Sequence, residues 1–69
     1  MTPAELRKAR YAVNLSQAEL GKALGYGGAA GARGQQVYKM EAGRKPIREP
    51  MARLVEMFVR HGVPPEYLA

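Results

Sequence analysis

Amide, guanidinium and ammonium side chains are concentrated between residues 33 and 45. A glutamine amide can pair with the edge of adenine, an arginine or lysine can pair with guanine, and all of these groups can bind a phosphate. The side chains of this kind, together with one tyrosine, are Arg33, Gln35, Gln36, Tyr38, Lys39, Arg44 and Lys45. The segment is therefore a candidate for nucleic-acid binding, although the same residue types also occur on the solvated face of an ordinary surface helix.

Catalytic and metal-binding residues are scarce. The chain has one serine (Ser16), one threonine (Thr2), one histidine (His61) and neither Asp nor Cys. No set of nucleophile, base and orienting group can be assembled from them, and disulfides and cysteine-containing zinc sites are excluded. A Gly-x-Gly-x-x-Ala string from Gly25 to Ala30 has no buried strand before it, so a dinucleotide site is not expected. We expect a binding protein rather than an enzyme, with no cofactor and no metal.

The length and charge of the chain favour one small domain with a polyanionic partner. Its 69 residues carry a formal charge of +5 and a sequence pI near 10.0, which is typical of nucleic-acid binding. Residues 1–48 hold nine basic and three acidic side chains, a net charge of +6, whereas residues 49–69 hold two and three, a net charge of −1. No apolar run approaches the length of a membrane span, so we expect a cytoplasmic protein with no membrane partner.

Two capping boxes predict the first two helices. In each box a hydroxyl side chain precedes a glutamate by three positions, as in Thr2 to Glu5 and Ser16 to Glu19, so that each residue can satisfy the backbone N–H of the other. The predicted helices cover residues of about 3–13 and 17–24. Five glycines among the ten residues 25–34 then predict a mobile loop.

Two further helices are predicted after this loop. The third covers about 34–42, with Val37 and Met40 turned inward and Gly43 at its end. The fourth starts at Pro50 and stops at Gly62, with a last helical turn in the tail. Its predicted inward side chains are Met51, Leu54, Val55 and Phe58. Strands are not expected anywhere in the chain.

Two segments carry a family resemblance. The run from Leu15 to Gly25 (LSQAELGKALG) and the run from Val37 to Pro46 (VYKMEAGRKP) closely resemble the first motif helix and the recognition helix of the phage-repressor and Cro-like (XRE-type) helix-turn-helix family. The resemblance implies an all-α, compact four- or five-helix, lambda-repressor-like DNA-binding domain. This single domain would cover residues 1–69, with the motif at about 16–43 and the C-terminal helix and tail at 50–69.

The chain departs from the family pattern at three places. Between Gly25 and Val37 it has about six more residues than the tight turn of the family, and we expect them to form an extended Gly/Ala-rich loop that bulges outward inside the helix-turn-helix. Ala42 replaces the usual Asn. Gly21 stands where the family prefers Ala, which costs roughly 1 kcal/mol of helix propensity.

The resemblance also implies roles for individual residues. The expected base-reading side chains are Arg33, Gln35, Gln36, Tyr38 and Lys39. The expected phosphate contacts are Arg10, Ser16, Gln17, Arg44 and Lys45. Arg10 is expected to pair with Glu41 while part of its guanidinium stays turned toward a phosphate. Val63, Pro64 and Tyr67 are candidates for a dimer contact, with burial inside one subunit as an equal alternative.

The function implied by the resemblance is sequence-specific transcriptional regulation. We expect a homodimeric repressor or autoregulator of a phage or mobile-element operon, which reads an inverted repeat of double-stranded DNA through the major groove and needs no small-molecule ligand. Its length and motif are also similar to those of anti-CRISPR-associated regulators. The alternative is an antitoxin-type or other protein-interaction module with secondary DNA binding.

Overall fold

The chain folds into four α-helices and one turn of 3-10 helix, and no residue lies in a strand. The computed structural model describes all 69 residues. The elements are α1 (Pro3–Ala12), α2 (Gln17–Ala23), α3 (Ala30–Glu41), α4 (Glu49–His61) and the 3-10 turn (Pro65–Tyr67). The predicted all-α class is therefore confirmed, and none of the helices combines the length and apolar character that crossing a membrane requires.

Both predicted capping boxes are present. The hydroxyl of Thr2 accepts the N–H of Glu5 at 3.1 Å, and the Glu5 carboxylate accepts the N–H of Thr2 at 2.7 Å. Ser16 and Glu19 exchange the same two bonds at 3.1 and 2.8 Å. The bond from the cap backbone lowers the pKa of Glu5 and of Glu19. The two caps fix where α1 and α2 begin, and they use the only serine and the only threonine in the chain.

All four helices contribute to one apolar core. Leu6 from α1, Leu20 from α2, Val37 from α3 and Phe58 from α4 are almost fully buried against one another. Ala23, Met40 and Val55 complete this cluster. The predicted inward positions are confirmed: Val37, Met40, Val55 and Phe58 are buried, and Met51 and Leu54 are half-buried and pack against the core. Ala52 is also buried, which was not predicted.

The glycine-rich stretch differs from its prediction. Helix α3 begins at Ala30, four residues before the predicted start, so the loop between α2 and α3 is shorter than predicted and covers residues 24–29. Most of the extra residues form an additional first turn of α3. Three glycines lie inside helices, Gly21 in α2 and Gly31 and Gly34 in α3. Each costs roughly 1 kcal/mol in helix propensity, and tertiary packing outweighs that cost.

Gly21 and Gly34 show what that packing is. A Cβ at Gly21 would overlap the backbone carbonyl oxygen of Arg33, whereas a Cβ at Gly34 would make an ordinary van der Waals contact with the backbone of Ala18, 3.4 Å from its nitrogen. The absence of a side chain at Gly21 therefore lets α2 and α3 approach closely, with Gly34 packed on Ala18 beside it, and these two helices form the most extensive contact in the molecule. Gly21, which looked like a poor helix residue, is required by the added turn of α3.

The C-terminal residues fold back on α4. Gly62 ends α4 with a φ of +84°, a left-handed value that favours glycine. The Tyr67 ring then lies edge-on to Phe58, with ring centroids 6.0 Å apart and an interplanar angle of 79°. The predicted final helical turn is confirmed as the 3-10 turn.

Candidate nucleic-acid interface

One face of α3 is open to solvent and carries three polar side chains. Gln35, Tyr38 and Lys39 are all exposed, and their spacing of three and four residues places them side by side on the helix. None of the three side chains forms a hydrogen bond or ion pair inside the chain. This face therefore offers a free amide, a phenol and an ammonium group to a partner.

Arg33 lies on α3 but turns back toward the preceding loop. Its Nη1 donates to the carbonyl oxygen of Gly28 at 2.5 Å, and its Nε is buried without a partner. The side chain is half-buried. The expected role of Arg33 in base reading would require the guanidinium to leave the loop, so this residue stands apart from the open face of α3.

Gln36 is also separated from the open face, because Lys45 holds it. Lys45 Nζ donates to Oε1 of Gln36 at 2.5 Å and to the Tyr26 hydroxyl at 3.1 Å. An ammonium group can only donate, so the Gln36 atom that faces it must be the amide oxygen. Bidentate reading of adenine needs that oxygen as an acceptor, and Gln36 therefore lacks the free amide that Gln35 has.

Arg10 and Glu41 form the expected ion pair. Arg10 Nε donates to Oε2 of Glu41 at 2.6 Å and Nη2 donates to Oε1 at 3.1 Å, in a two-point contact that links α1 to the end of α3. The third nitrogen, Nη1, donates to the carbonyl oxygen of Leu15 at 3.1 Å. Only 8% of Arg10 is exposed. The expectation that part of this guanidinium points outward to a phosphate was therefore wrong, because every nitrogen is used inside the chain.

Glu41 accepts hydrogen bonds from two side chains besides Arg10. Gln17 Nε2 donates to Oε1 at 3.1 Å, and Arg7 Nε approaches the same oxygen at 3.5 Å. Burial is the strongest single influence on the Glu41 carboxyl and raises its pKa, but the hydrogen bonds from Arg10, Gln17 and Arg7 together outweigh it and leave the pKa below its ordinary value. Glu41 is thus a buried carboxylate that joins α1, α2 and α3.

The expected phosphate ligands divide into engaged and free groups. The hydroxyl of Ser16 caps α2, the amide of Gln17 binds Glu41 and the ammonium of Lys45 binds Gln36. Arg44 is exposed and its guanidinium has no partner in the chain. Among these residues, Arg44 has the side chain best placed to meet a phosphate without breaking an internal contact.

Arg7 and Tyr26 are two site residues that the sequence reasoning missed. Arg7 was not among the expected site residues, yet it contacts Glu41 while 54% of its side chain remains exposed. Tyr26 is the only aromatic side chain in the glycine-rich stretch, and that isolation was the one available signal for it. The contact of Tyr26 with Lys45 depends on how the loop folds, which no local pattern specifies.

The candidate dimer residues are partly used within the subunit. Val63 packs against the core, Pro64 is half-buried, and Tyr67 keeps 43% of its surface exposed. All three line a cavity of about 340 Å³ between α4 and the tail. On the outer surface of α4, Met57 and Val59 are 55% and 47% exposed. This end of the molecule therefore presents apolar surface well beyond the three expected residues.

The polar surface around α3 supplies hydrogen-bond donors and positive charge. The chain has two aliphatic hydroxyl groups, on Thr2 and Ser16, and both accept a backbone hydrogen bond at a helix cap. No three His, Cys, Asp or Glu side chains lie close enough together to hold a metal ion.

Comparison with protein-family models, curated proteins and solved structures finds no match for this chain.

Proposed function

We propose that this protein is a sequence-specific DNA-binding transcriptional regulator. The observation that carries the proposal is the open face of α3, where Gln35, Tyr38 and Lys39 have no internal partners. An α-helix fits the major groove of B-DNA, and amide and ammonium groups there can distinguish adenine from guanine. The function is binding rather than catalysis, and it needs no cofactor or small-molecule ligand.

The electrostatics of the chain support the same proposal. Nine of the eleven basic side chains lie in residues 1–48, which include α1, α2 and α3. Arg44, just beyond α3, has a free guanidinium that can bind a phosphate beside the groove. We assign base reading to Gln35 and Lys39, with Tyr38 beside them, and we assign a phosphate contact to Arg44.

The regulator would act as a homodimer. A dimer presents two copies of α3, and centres about 34 Å apart match one turn of B-DNA and an inverted repeat. The nearly neutral segment 49–69, with exposed Met57 and Val59, is suited to the contact, because two copies meeting there keep their basic surfaces apart. We propose repression of a phage or mobile-element operon in the bacterial cytoplasm, including autoregulation, as its biological role.

The exposed apolar residues of α4 also support a second candidate function. In that function Met57 and Val59 contact a different protein, as in an antitoxin-type interaction module for which DNA binding is secondary. Sedimentation equilibrium distinguishes the two. A dimer that weakens when Met57 is replaced by Lys supports the regulator, and a strict monomer at every concentration favours the interaction module.

Chemical-shift mapping tests the DNA surface directly. A ¹⁵N-labelled sample is titrated with a mixed-sequence duplex, and backbone shifts are followed for every residue. We expect the largest changes at Gln35, Tyr38, Lys39 and Arg44, and small ones at Glu56 on α4. Changes concentrated on α4, or none at all, would remove α3 from the interface.

A further inference from the structure

Lys45 follows α3 in the chain, yet its side chain contacts Tyr26, which lies before the helix, and Gln36, which lies within it. Its Nζ contacts Gln36 Oε1 at 2.5 Å and the Tyr26 hydroxyl at 3.1 Å, and it lies 4.6 Å from the centre of the Tyr26 ring. Tyr26 is in the α2–α3 loop and packs against the core. One ammonium group therefore ties the entry of α3, its second turn and its exit together.

The neighbouring cation is in the opposite situation. Arg44 is exposed and its side chain has no partner, whereas Lys45 is half-buried and has two hydrogen-bond acceptors and an aromatic ring. A phosphate could capture Lys45 only if both hydrogen bonds and the cation–π contact were broken. Moving Arg44 onto a phosphate breaks nothing inside the chain.

We propose that Lys45 is a positioning residue and not a phosphate ligand. Together with Tyr26 and Gln36 it fixes the rotation of α3 about its own axis, so that the face bearing Gln35 and Lys39 points outward. This inference rests on the proposed function, which it deepens by dividing the two adjacent cations between two different tasks. Arg44 supplies affinity for any DNA, and Lys45 supplies discrimination between sequences.

The proposal follows from helix geometry. Neighbouring residues on an α-helix are separated by about 100° around the axis, so Gln36 and Gln35 look in clearly different directions. Holding Gln36 on the Lys45 side sets the direction of Gln35. If the tether is lost, α3 gains rotational freedom, and the amide of Gln35 no longer meets a base edge in the fixed geometry that paired hydrogen bonds require.

Three variants separate positioning from phosphate binding. Tyr26→Phe removes one hydroxyl and no charge, Lys45→Met removes the ammonium but keeps an apolar stem, and Arg44→Met is the matched control. Each is titrated with the duplex recovered by selection from a random pool and with a mixed-sequence duplex, over a range of salt concentrations. The melting temperature of each variant without DNA, and of the Tyr26→Phe/Lys45→Met double variant, is measured alongside.

The expected results differ in kind between the variants. Tyr26→Phe and Lys45→Met each reduce the preference for the selected duplex by about three- to tenfold, the worth of one or two hydrogen bonds, and leave the salt slope unchanged. Arg44→Met keeps the preference and reduces the magnitude of the logarithmic salt slope by about 0.9, the value for one lost phosphate contact. In the free protein, the double variant melts at a higher temperature than the sum of the two single changes predicts, because both remove the same contact.

Three results would overturn the inference in distinguishable ways. If the selection yields a motif but Lys45→Met flattens the salt slope as much as Arg44→Met, Lys45 binds phosphate and only the inference fails. If the selection yields a motif but Tyr26→Phe keeps full preference, the contact with Tyr26 does not orient α3, and again only the inference fails. If the selection yields no preferred duplex, the proposed function fails and the positioning role fails with it.

Discussion

Arg10 meets Glu41 through two hydrogen bonds, at 2.6 and 3.1 Å, and only 1% of the Glu41 side chain is exposed. The pair connects α1 to the last turn of α3, and Gln17 adds a bond from α2. The orientation of α3 is therefore set at its C-terminal end by a buried carboxylate, while Lys45 acts from the other side of the helix. The exposed face of α3 is held by polar contacts as well as by the core.

Replacing Arg10 tests how much this buried pair contributes to stability. Arg10→Met leaves the Glu41 carboxylate buried without its main partner, and removing one member of such a pair costs roughly 3 kcal/mol of unfolding free energy. Urea unfolding followed by circular dichroism measures the loss. The control is Arg10→Met combined with Glu41→Leu, which removes both charges and should recover most of the stability. Equal losses in the single and double variants would contradict this role.

The stability of the protein should fall in acid because of Glu41. Its folded-state pKa lies below the ordinary value of 4.5, so the folded protein binds this proton less tightly than the unfolded chain does. The contribution is fully present above about pH 4.5 and is lost as the pH falls through the folded-state pKa. Melting temperatures measured from neutral pH downward should decline less steeply in Glu41→Gln than in the original protein. A control change at exposed Glu56 should leave the profile as it was, and identical profiles for all three proteins would refute the assignment.

Adding a methyl group at Gly21 should destabilise the fold, against the intrinsic preference of helices. Alanine is the better helix former by roughly 1 kcal/mol, but a Cβ at Gly21 overlaps the Arg33 carbonyl oxygen. The matched control is Gly31→Ala on α3, where the new Cβ meets nothing within 4 Å and a gain of up to about 1 kcal/mol is expected. Thermal melts distinguish the two. A stabilised Gly21→Ala protein would show that α2 and α3 are not in close contact there.

Base reading by Gln35 should be visible as a loss of sequence preference. Gln35→Ala removes a free amide from the open face of α3 and should lower the discrimination between selected and mixed-sequence DNA by roughly 1 to 3 kcal/mol. Lys39→Ala should act similarly and also reduce the salt slope if it touches a phosphate. Arg60→Ala, an exposed cation at the end of α4, serves as the control. Full discrimination in both α3 variants would exclude this face from base readout.

Local sequence patterns predicted the helices well where capping and periodicity agree. Thr2 to Glu5 and Ser16 to Glu19 are short-range signals, and both caps formed as predicted. The predicted start of α3 was wrong because the prediction considered only the low helix propensity of the glycines in this stretch. The packing of Gly34 on Ala18 and of Gly21 under Arg33 is a tertiary effect that a local window cannot contain.

The candidate site was predictable in residue type but not in the partners of each residue. The Arg10 and Glu41 pair followed from the family resemblance and is present. The resemblance supplied no partner for Lys45 or Gln36, which bond each other directly, and Lys45 also bonds Tyr26 in a loop whose length departs from the family pattern. Adjacent residues with the same charge, such as Arg44 and Lys45, are distinguishable only when the fold shows which of them is already bound.

The sharpest test of whether α3 reads DNA is selection of bound duplexes from a random DNA pool, near physiological salt and read by sequencing. We expect an enriched inverted repeat whose half-site centres are about 34 Å apart, one turn of B-DNA. We also expect that the Gln35→Ala protein recovers a weaker or altered repeat from the same pool. A folded protein that enriches no sequence would contradict the proposal that α3 reads DNA.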